Sequence, residues 1–239
     1  MSVLEKSFDS RNIEENVRRV LAEVEEAALR AGRDPNEIQV MAVTKTNPPE
    51  AINRAIRSGI KLIGENRVQE MLSKIDGIAL GDCALHLIGH LQTNKVKLAA
   101  PHVSMIESVD SVRLAREISV CSEKLGKRMP VLVEVNIGRE ESKSGILPEA
   151  LFDFLCEIAE FPGISVQGLM AIPPITDDLV QNEQFFELMH GHFIDMQAKK
   201  IDNINMTVLS MGMSRDYPLA VRHGSGIVRV GRAIFGERN

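Results

Sequence analysis

The chain has 239 residues, of which 44% are hydrophobic and 26% are charged, and its formal net charge is −5. This composition is typical of a globular protein, and the acidic balance without a basic block argues against nucleic acid as a partner. No apolar run approaches membrane-spanning length, and the N-terminus has no long apolar segment, so we expect neither a membrane span nor a signal peptide. Its three cysteines, Cys83, Cys121 and Cys156, are far apart and predict a reducing compartment, the cytoplasm, and no metal site.

The first predicted element is an amphipathic helix over residues 12–31, whose apolar residues recur at helical spacing. Asn12 with Glu15 resembles a capping box at its start, and Gly32 is a typical stop signal. This helix precedes the first strand.

After this helix, short apolar runs alternate with helical patterns along the rest of the chain. Strands are predicted at 38–44, 60–63, 85–88, 103–106, 131–135, 164–169, 206–210 and 227–230. Helices are predicted at 48–58, around 68–75, from about Thr93, at 110–125, 148–160, 178–199 and 215–222, and in a turn near Ala233.

Eight strands, each followed by a helical segment, require parallel crossovers and predict an α/β fold, a single (β/α)8 TIM barrel with an extra N-terminal helix. An open doubly wound sheet is the alternative, but its usual Gly-rich fingerprint after the first strand is absent. No linker rich in Pro, Gly or Ser divides the chain, so residues 1–239 are expected to form one domain.

In such a barrel, functional side chains lie at the carboxyl ends of the strands. This rule collects Lys45, Asn66, His90, Asn136, Met170, Ser210, Ser214 and Arg229 on one face. Lys45 ends a buried strand, where it either reaches solvent through its long stem or serves as a partly desolvated amine able to form a Schiff base with an aldehyde.

Two loop regions suggest a phosphate site. The Ser210–Ser214 segment follows the seventh strand, and Gly224-Ser-Gly226 with Gly231 brackets the eighth. Barrel phosphate sites are commonly built from loop amides at this place, although glycines of this kind also serve tight turns. The position on both strands favours phosphate.

Other polar residues leave alternatives open. Arg229 is flanked by valines and points either at the helices or into the barrel, where it would pair with a carboxylate such as Glu134 or donate to a ligand. His86 and His90 are four residues apart on a strand rather than on one helix face, so a zinc site is not expected.

Seven segments together resemble one known family, the pyridoxal phosphate homeostasis proteins. They are residues 42–46, 64–66, 86–92, 142–145, 168–172, 210–214 and 228–231, in order along essentially the whole chain. The family is similar to the barrel domain of alanine racemase, a fold-type III pyridoxal phosphate protein, without its second domain.

The resemblance implies a pyridoxal 5'-phosphate site with a role for each matching residue. Lys45 matches the lysine that forms a Schiff base with the cofactor, and Arg229 matches the arginine facing the pyridine nitrogen. Asn66 matches a polar residue beside the ring. The phosphate cradle is matched by Ser214 and Gly231, and less closely by Ser210. Arg232, beside the cradle, either tightens phosphate binding or points outward.

Three functions remain open at this point. The first, which we favour, is a pyridoxal phosphate carrier in vitamin B6 homeostasis without efficient turnover. The second is a cofactor-dependent enzyme such as an amino-acid racemase, and the third is a Schiff-base aldolase. Racemisation needs an acid and a base on opposite faces of the substrate, and Tyr217, the single tyrosine, matches no catalytic tyrosine of the family. Small amines or amino acids, and apoenzymes that need the cofactor, are the expected partners of a monomer; neither nucleic acid nor membrane is expected.

Overall fold

The structure, a computed structural model, describes residues 12–174 and 176–236 and contains a closed barrel of eight parallel strands. The strands are β1 (Gln39–Val43), β2 (Leu62–Glu65), β3 (Ala84–Leu87), β4 (Met105–Val109), β5 (Met129–Val135), β6 (Ile164–Ala171), β7 (Ile204–Met213) and β8 (Ile227–Val230). Each strand pairs with the next in sequence, and β8 pairs with β1. The predicted TIM barrel is therefore confirmed.

Helices connect the strands around the outside of the barrel. They are α1 (Ile13–Arg30), α2 (Pro49–Arg57), α3 (Val68–Lys74), α4 (Val96–Ala99), α5 (Val112–Lys124), α6 (Leu151–Ala159), α7 (Leu179–Lys199), α8 (Tyr217–Arg222) and α9 (Arg232–Phe235). The predicted N-terminal helix is present as α1, which packs against α2, α8 and α9. Asn16 on α1 donates a hydrogen bond to the carbonyl oxygen of Ile234 on α9 at 3.0 Å, so this bond holds α1 against the helix that follows β8.

The alternation of side chains along the strands separates two apolar clusters. On β8, Val228 and Val230 belong to the large cluster between sheet and helices, whereas Ile227 belongs to a small cluster with Met41 and Leu62. Successive strand side chains point to opposite faces, so the small cluster fills the barrel interior and Arg229 shares that inward face. The sequence pattern had left the direction of Arg229 open.

Only β8 has its predicted extent, and β4 and β7 differ most from theirs. β7 continues to Met213 instead of ending at residue 210, and β4 spans Met105–Val109 instead of 103–106. Polar residues at the predicted strand ends are therefore inside the strands: Ser210 pairs in register with Met170 and with Ile227, and Glu107 is fully buried. The predictions were wrong because these polar side chains find partners inside the barrel, which the sequence pattern could not show.

Two glycines allow the backbone to approach its neighbours closely. Gly212 in β7 has φ +90°, and a Cβ there would lie 2.4 Å from the Cβ of Ala220 on α8. Gly168 in β6 has φ +152°, and a Cβ there would lie 1.8 Å from the carbonyl oxygen of Val208. Both positions combine a backbone conformation that favours glycine with no room for a side chain. They fix α8 against β7 and β6 against β7.

None of the described helices is long and apolar enough to span a bilayer.

Candidate functional site

Because all eight strands are parallel, their carboxyl ends form one rim, the mouth of the barrel. Lys45 lies in the turn two residues after β1 and is partly buried. The following residue, Thr46, has φ +65°, and Asn47 donates from its side chain to the carbonyl oxygen of Lys45 at 3.0 Å. β1 pairs with β8 on one side and with β2 on the other, so Lys45 lies between the ends of the strands that lead to Gly231 and Asn66.

A buried charged network from α3 holds the Lys45 turn. Lys74 donates to the carbonyl oxygen of Thr44 at 2.9 Å and forms ion pairs with Glu65 at 2.8 Å and Glu70 at 2.9 Å. Glu70 accepts a hydrogen bond from the backbone N–H of Thr46, and Glu65 accepts one from the hydroxyl of Thr44. Burial raises the pKa of Glu65. The residues before and after Lys45 are therefore both fixed to α3, which restricts the positions its amine can take.

Arg229 lies below the mouth and belongs to a chain of hydrogen bonds across the barrel interior. Its Nη1 donates to the hydroxyl of Ser210 at 2.7 Å and its Nη2 donates to the carbonyl oxygen of Ala171 at 2.7 Å. Ser210 donates to Glu107 at 2.7 Å, and the other oxygen of Glu107 lies 2.7 Å from Nδ1 of His86. Burial lowers the pKa of Arg229, and Glu107 is the first of the carboxylates that oppose this effect. Ser210 is thus engaged inside the barrel rather than open at the rim.

The loops after β7 and β8 meet at the rim. The hydroxyl oxygen of Ser214 accepts hydrogen bonds from the backbone N–H groups of Gly231 at 3.1 Å and Ala233 at 3.3 Å. A Cβ added at Gly231 would meet only Val43, at 3.6 Å, so the rim beside β1 is open here. The two amides hold the hydroxyl oxygen of Ser214 in place at the rim, and the O–H of Ser214 is a donor suited to an oxyanion there. The side chain of Arg232 is exposed.

Gly224-Ser-Gly226 does not contribute to this rim, contrary to the sequence interpretation. These residues precede β8 and lie at its amino end, whereas the Ser214 loop follows the carboxyl end of β7. The hydroxyl of Ser225 donates to the carbonyl oxygens of Met211 and Ile227, each at 2.8 Å. The segment therefore links two strands and takes no part in a phosphate site.

Asn66 lines a cavity of roughly 260 Å³ on the opposite side of the mouth. Its other lining residues come from β5 and from the segments that follow β3, β5 and β6: Ile88, Gly89, His90, Glu134, Val135, Asn136, Lys143, Ser144 and Ile172. The Oδ1 atom of Asn66 is buried and has no hydrogen-bond partner among the described residues. Glu134 is 8% exposed, and burial raises its pKa to about 7, with Asp110 adding to the effect and Arg229 and His90 opposing it.

The remaining sequence candidates are occupied elsewhere. His90 is bonded through Nδ1 to Asp110 at 3.0 Å and to Ser144 at 3.2 Å. Tyr217 is buried, donates its hydroxyl to Glu23 of α1, and has its pKa raised by burial. Within residues 12–174 and 176–236, no group of three or more His, Cys, Asp or Glu residues could hold a metal ion. Asn136 bonds to the backbone of Glu140 and shapes the loop that carries Lys143.

Sequence reasoning missed Glu107, Glu65 and Lys74, and considered Glu134 only as a partner for Arg229. One signal was available for Lys74: it follows Val68 and Met71 at intervals of three, which places a charged residue on the buried face of α3. For the three glutamates, the signal was a carboxylate within an apolar strand run, which needs a partner inside the protein.

Comparisons with known proteins agree with this geometry. The family model of the alanine racemase N-terminal domain matches residues 9–239. The pyridoxal phosphate homeostasis protein of Aquifex aeolicus (strain VF5) is 40% identical over 224 residues, covering 94% of this chain and 97% of that protein.

Solved structures give the same picture. The structure of PipY of Synechococcus elongatus PCC7942 with PLP bound is 32% identical, with a TM-score of 0.78, covering 90% of this chain and 100% of PipY. Alanine racemase of Clostridium difficile 630 is only 14% identical, with a TM-score of 0.68 and coverage of 94% of this chain and 57% of that one, and thus shares the fold. By its whole-length similarity to named relatives, the chain belongs to the pyridoxal phosphate homeostasis protein family, within the broader family of the alanine racemase N-terminal domain.

Proposed function

We propose that this protein binds pyridoxal 5'-phosphate in the mouth of its barrel and takes part in pyridoxal phosphate homeostasis. The observation that carries the proposal is the Ser214 hydroxyl, which two backbone amides fix at the rim beside the strand end that bears Lys45. The names of its relatives and the structure of PipY with PLP bound support it.

The residues at the mouth fit the chemical groups of the cofactor. The hydroxyl of Ser214, held in place by the backbone amides of Gly231 and Ala233, would donate to the phosphate. When bound, pyridoxal phosphate supplies an aldehyde carbon that condenses with a primary amine with loss of water. We propose Lys45 as this amine, because the buried contacts of Lys74 and Glu70 hold its turn. Asn66, with an unpartnered buried oxygen, would lie beside the ring.

Arg229 would face the ring nitrogen, with Ser210 as its support. Two of its N–H groups are already used toward Ser210 and Ala171, which fixes the plane of the guanidinium. An arginine is a donor only, so it favours an unprotonated ring nitrogen and makes the cofactor a weak electron sink. In our proposal Ser210 therefore positions Arg229 and does not contact the phosphate.

A carrier function fits this site better than an enzyme does. A racemase of this fold needs a second acid-base group opposite the lysine. The chain has one tyrosine, Tyr217, and its hydroxyl is donated to Glu23 of α1, on the helical layer outside the sheet. We therefore propose binding, exchange with small amines or amino acids, and delivery to cofactor-requiring apoenzymes. The chain would act as one domain, residues 1–239, as a monomer in the cytoplasm; its three free cysteines suit a reducing compartment.

The experiment is a titration of the cofactor-free protein with pyridoxal phosphate, followed by absorbance. We expect a yellow complex that saturates at one cofactor per chain and binds pyridoxal, which lacks the phosphate, far more weakly. Equal affinity for both compounds would contradict the phosphate site. Incubation of the complex with L-alanine, followed by chiral analysis, tests the carrier function. A turnover number in the usual enzyme range of about 1–10³ s⁻¹ would make the protein an enzyme.

A further inference from the structure

Two hydrogen-bond acceptors that line the cavity beside Asn66 have no donor among the described residues. Glu134 is 8% exposed and lines the cavity, and its side-chain carboxylate accepts no hydrogen bond from the residues that the structure describes. Its backbone carbonyl oxygen accepts one from the N–H of Ile146 at 2.8 Å. The Oδ1 atom of Asn66, on the same cavity, is buried and equally without a partner. Buried polar groups in proteins are almost always hydrogen-bonded, and an unpaired buried carboxylate is costly. The cavity is therefore suited to a ligand that donates hydrogen bonds.

The cationic side chains around the cavity already have partners. Lys143 forms an ion pair with Glu140, and His90 is bonded to Asp110 and Ser144. Arg229 is directed to Ser210 and Ala171 below. Among the residues in the described ranges, the cavity thus offers acceptors, and the cations that border it are engaged with these partners. An α-carboxylate, as in an amino acid, would meet Glu134 without a compensating partner.

We infer that this cavity binds a small primary ammonium ion without a carboxylate, through Glu134 and Asn66. An ammonium group carries three donors and a full positive charge, which match the amide oxygen of Asn66 and the two carboxylate oxygens of Glu134. The volume of roughly 260 Å³ is several times the share of one water molecule and accommodates an alkyl chain of a few carbons against Ile88 and Ile172. The inference deepens the proposed function, on which it rests, by choosing alkylamines over amino acids as the ligands.

Four charged groups face Glu134 from the elements around it. They are Asp110 after β4, His90 after β3, Arg229 on β8 and Lys143 in the loop after β5. Because the pKa of Glu134 is raised to about 7, its carboxylate is formed mainly above neutral pH. Binding of an ammonium ion should therefore weaken as the pH falls from 8 to 6 and Glu134 takes up a proton.

The test uses the full chain without cofactor and 1-propylammonium as the probe, with dissociation constants from ligand-observed NMR titrations at pH 8. The matched neutral probe is 1-propanol, and L-alanine is the probe that adds a carboxylate. We expect propylammonium to bind about tenfold more tightly than either, as one charge-assisted hydrogen bond provides. In Glu134→Gln this preference should disappear, while in Glu149→Gln, an exposed carboxylate on the far side of the β5 loop, it should persist.

Equal affinity of wild-type protein for propylammonium and propanol would overturn the inference and leave water as the donor. A preference that survives in Glu134→Gln would overturn it as well. The wild-type pH series needs no variant: affinity that does not fall between pH 8 and pH 6 would also contradict the assignment. Because these measurements use no cofactor, they fail independently of the pyridoxal phosphate titration.

Discussion

Replacing Glu107 by glutamine tests the charge balance inside the barrel. Glu107 is fully buried and lies at hydrogen-bond distance from both His86 and Ser210, and Ser210 in turn accepts from Arg229. The substitution keeps the length of the side chain and removes its negative charge. Breaking a buried charge pair costs about 3–5 kcal/mol. Glu134 and Asp216 still act on Arg229, so we expect a loss near the lower end, about 3 kcal/mol.

Urea unfolding followed by circular dichroism measures this loss as a shift in midpoint at an unchanged slope. Glu149→Gln is the matched control, because Glu149 forms an exposed ion pair with Arg139 at 2.9 Å that solvent screens, and its midpoint should barely move. If Glu107→Gln lost less than about 1 kcal/mol, Arg229 would not depend on this carboxylate and the reasoning would be refuted.

Three further predictions concern other residues of the barrel. Burial raises the pKa of Glu134 from 4.5 to about 7, so between these pH values the folded protein binds a proton that the unfolded chain has released. The free energy of unfolding of the wild-type protein should therefore fall by up to about 3 kcal/mol as the pH rises through this window, and Glu134→Gln should lack that fall. Parallel curves of unfolding free energy against pH for the two proteins would contradict this prediction. Gly168→Ala should destabilise by about 2 kcal/mol or more in thermal or urea unfolding, because its Cβ would lie 1.8 Å from the carbonyl oxygen of Val208; an unchanged midpoint would show that the strands shift freely. Ser214→Ala should weaken pyridoxal phosphate binding about tenfold while leaving pyridoxal binding unchanged, and equal losses for both would remove Ser214 from the phosphate site.

The fold could be predicted because its signals are local and repeated. Helical spacing and short apolar runs alternate eight times, and only a few topologies accept that order. The strand limits were less predictable: β7 extends through Met211-Gly212-Met213, where a bulge and a glycine with positive φ permit continued pairing. A pattern of hydrophobicity does not record such irregular ladder positions.

The sequence placed Lys45 and Ser214 after the carboxyl ends of their strands, and the structure has both residues there. The sequence could not predict side-chain contacts that form across the barrel interior. The contacts of Ser210 with Glu107 and Arg229 join residues 103 and 19 positions apart, and they bring together side chains from three strands. The same limit explains the error at Gly224-Ser-Gly226: the segment borders β8 in sequence but lies at the other end of the barrel.

The measurement that tests the central claim most directly is the location of the covalent bond to the cofactor. The wild-type protein is incubated with pyridoxal phosphate, reduced with borohydride, digested and mapped by mass spectrometry. The account predicts one label per chain on Lys45, with Lys61, exposed at the amino end of β2, unlabelled at the same cofactor concentration. A label on another lysine in place of Lys45, or a saturated complex that borohydride cannot fix, would contradict it.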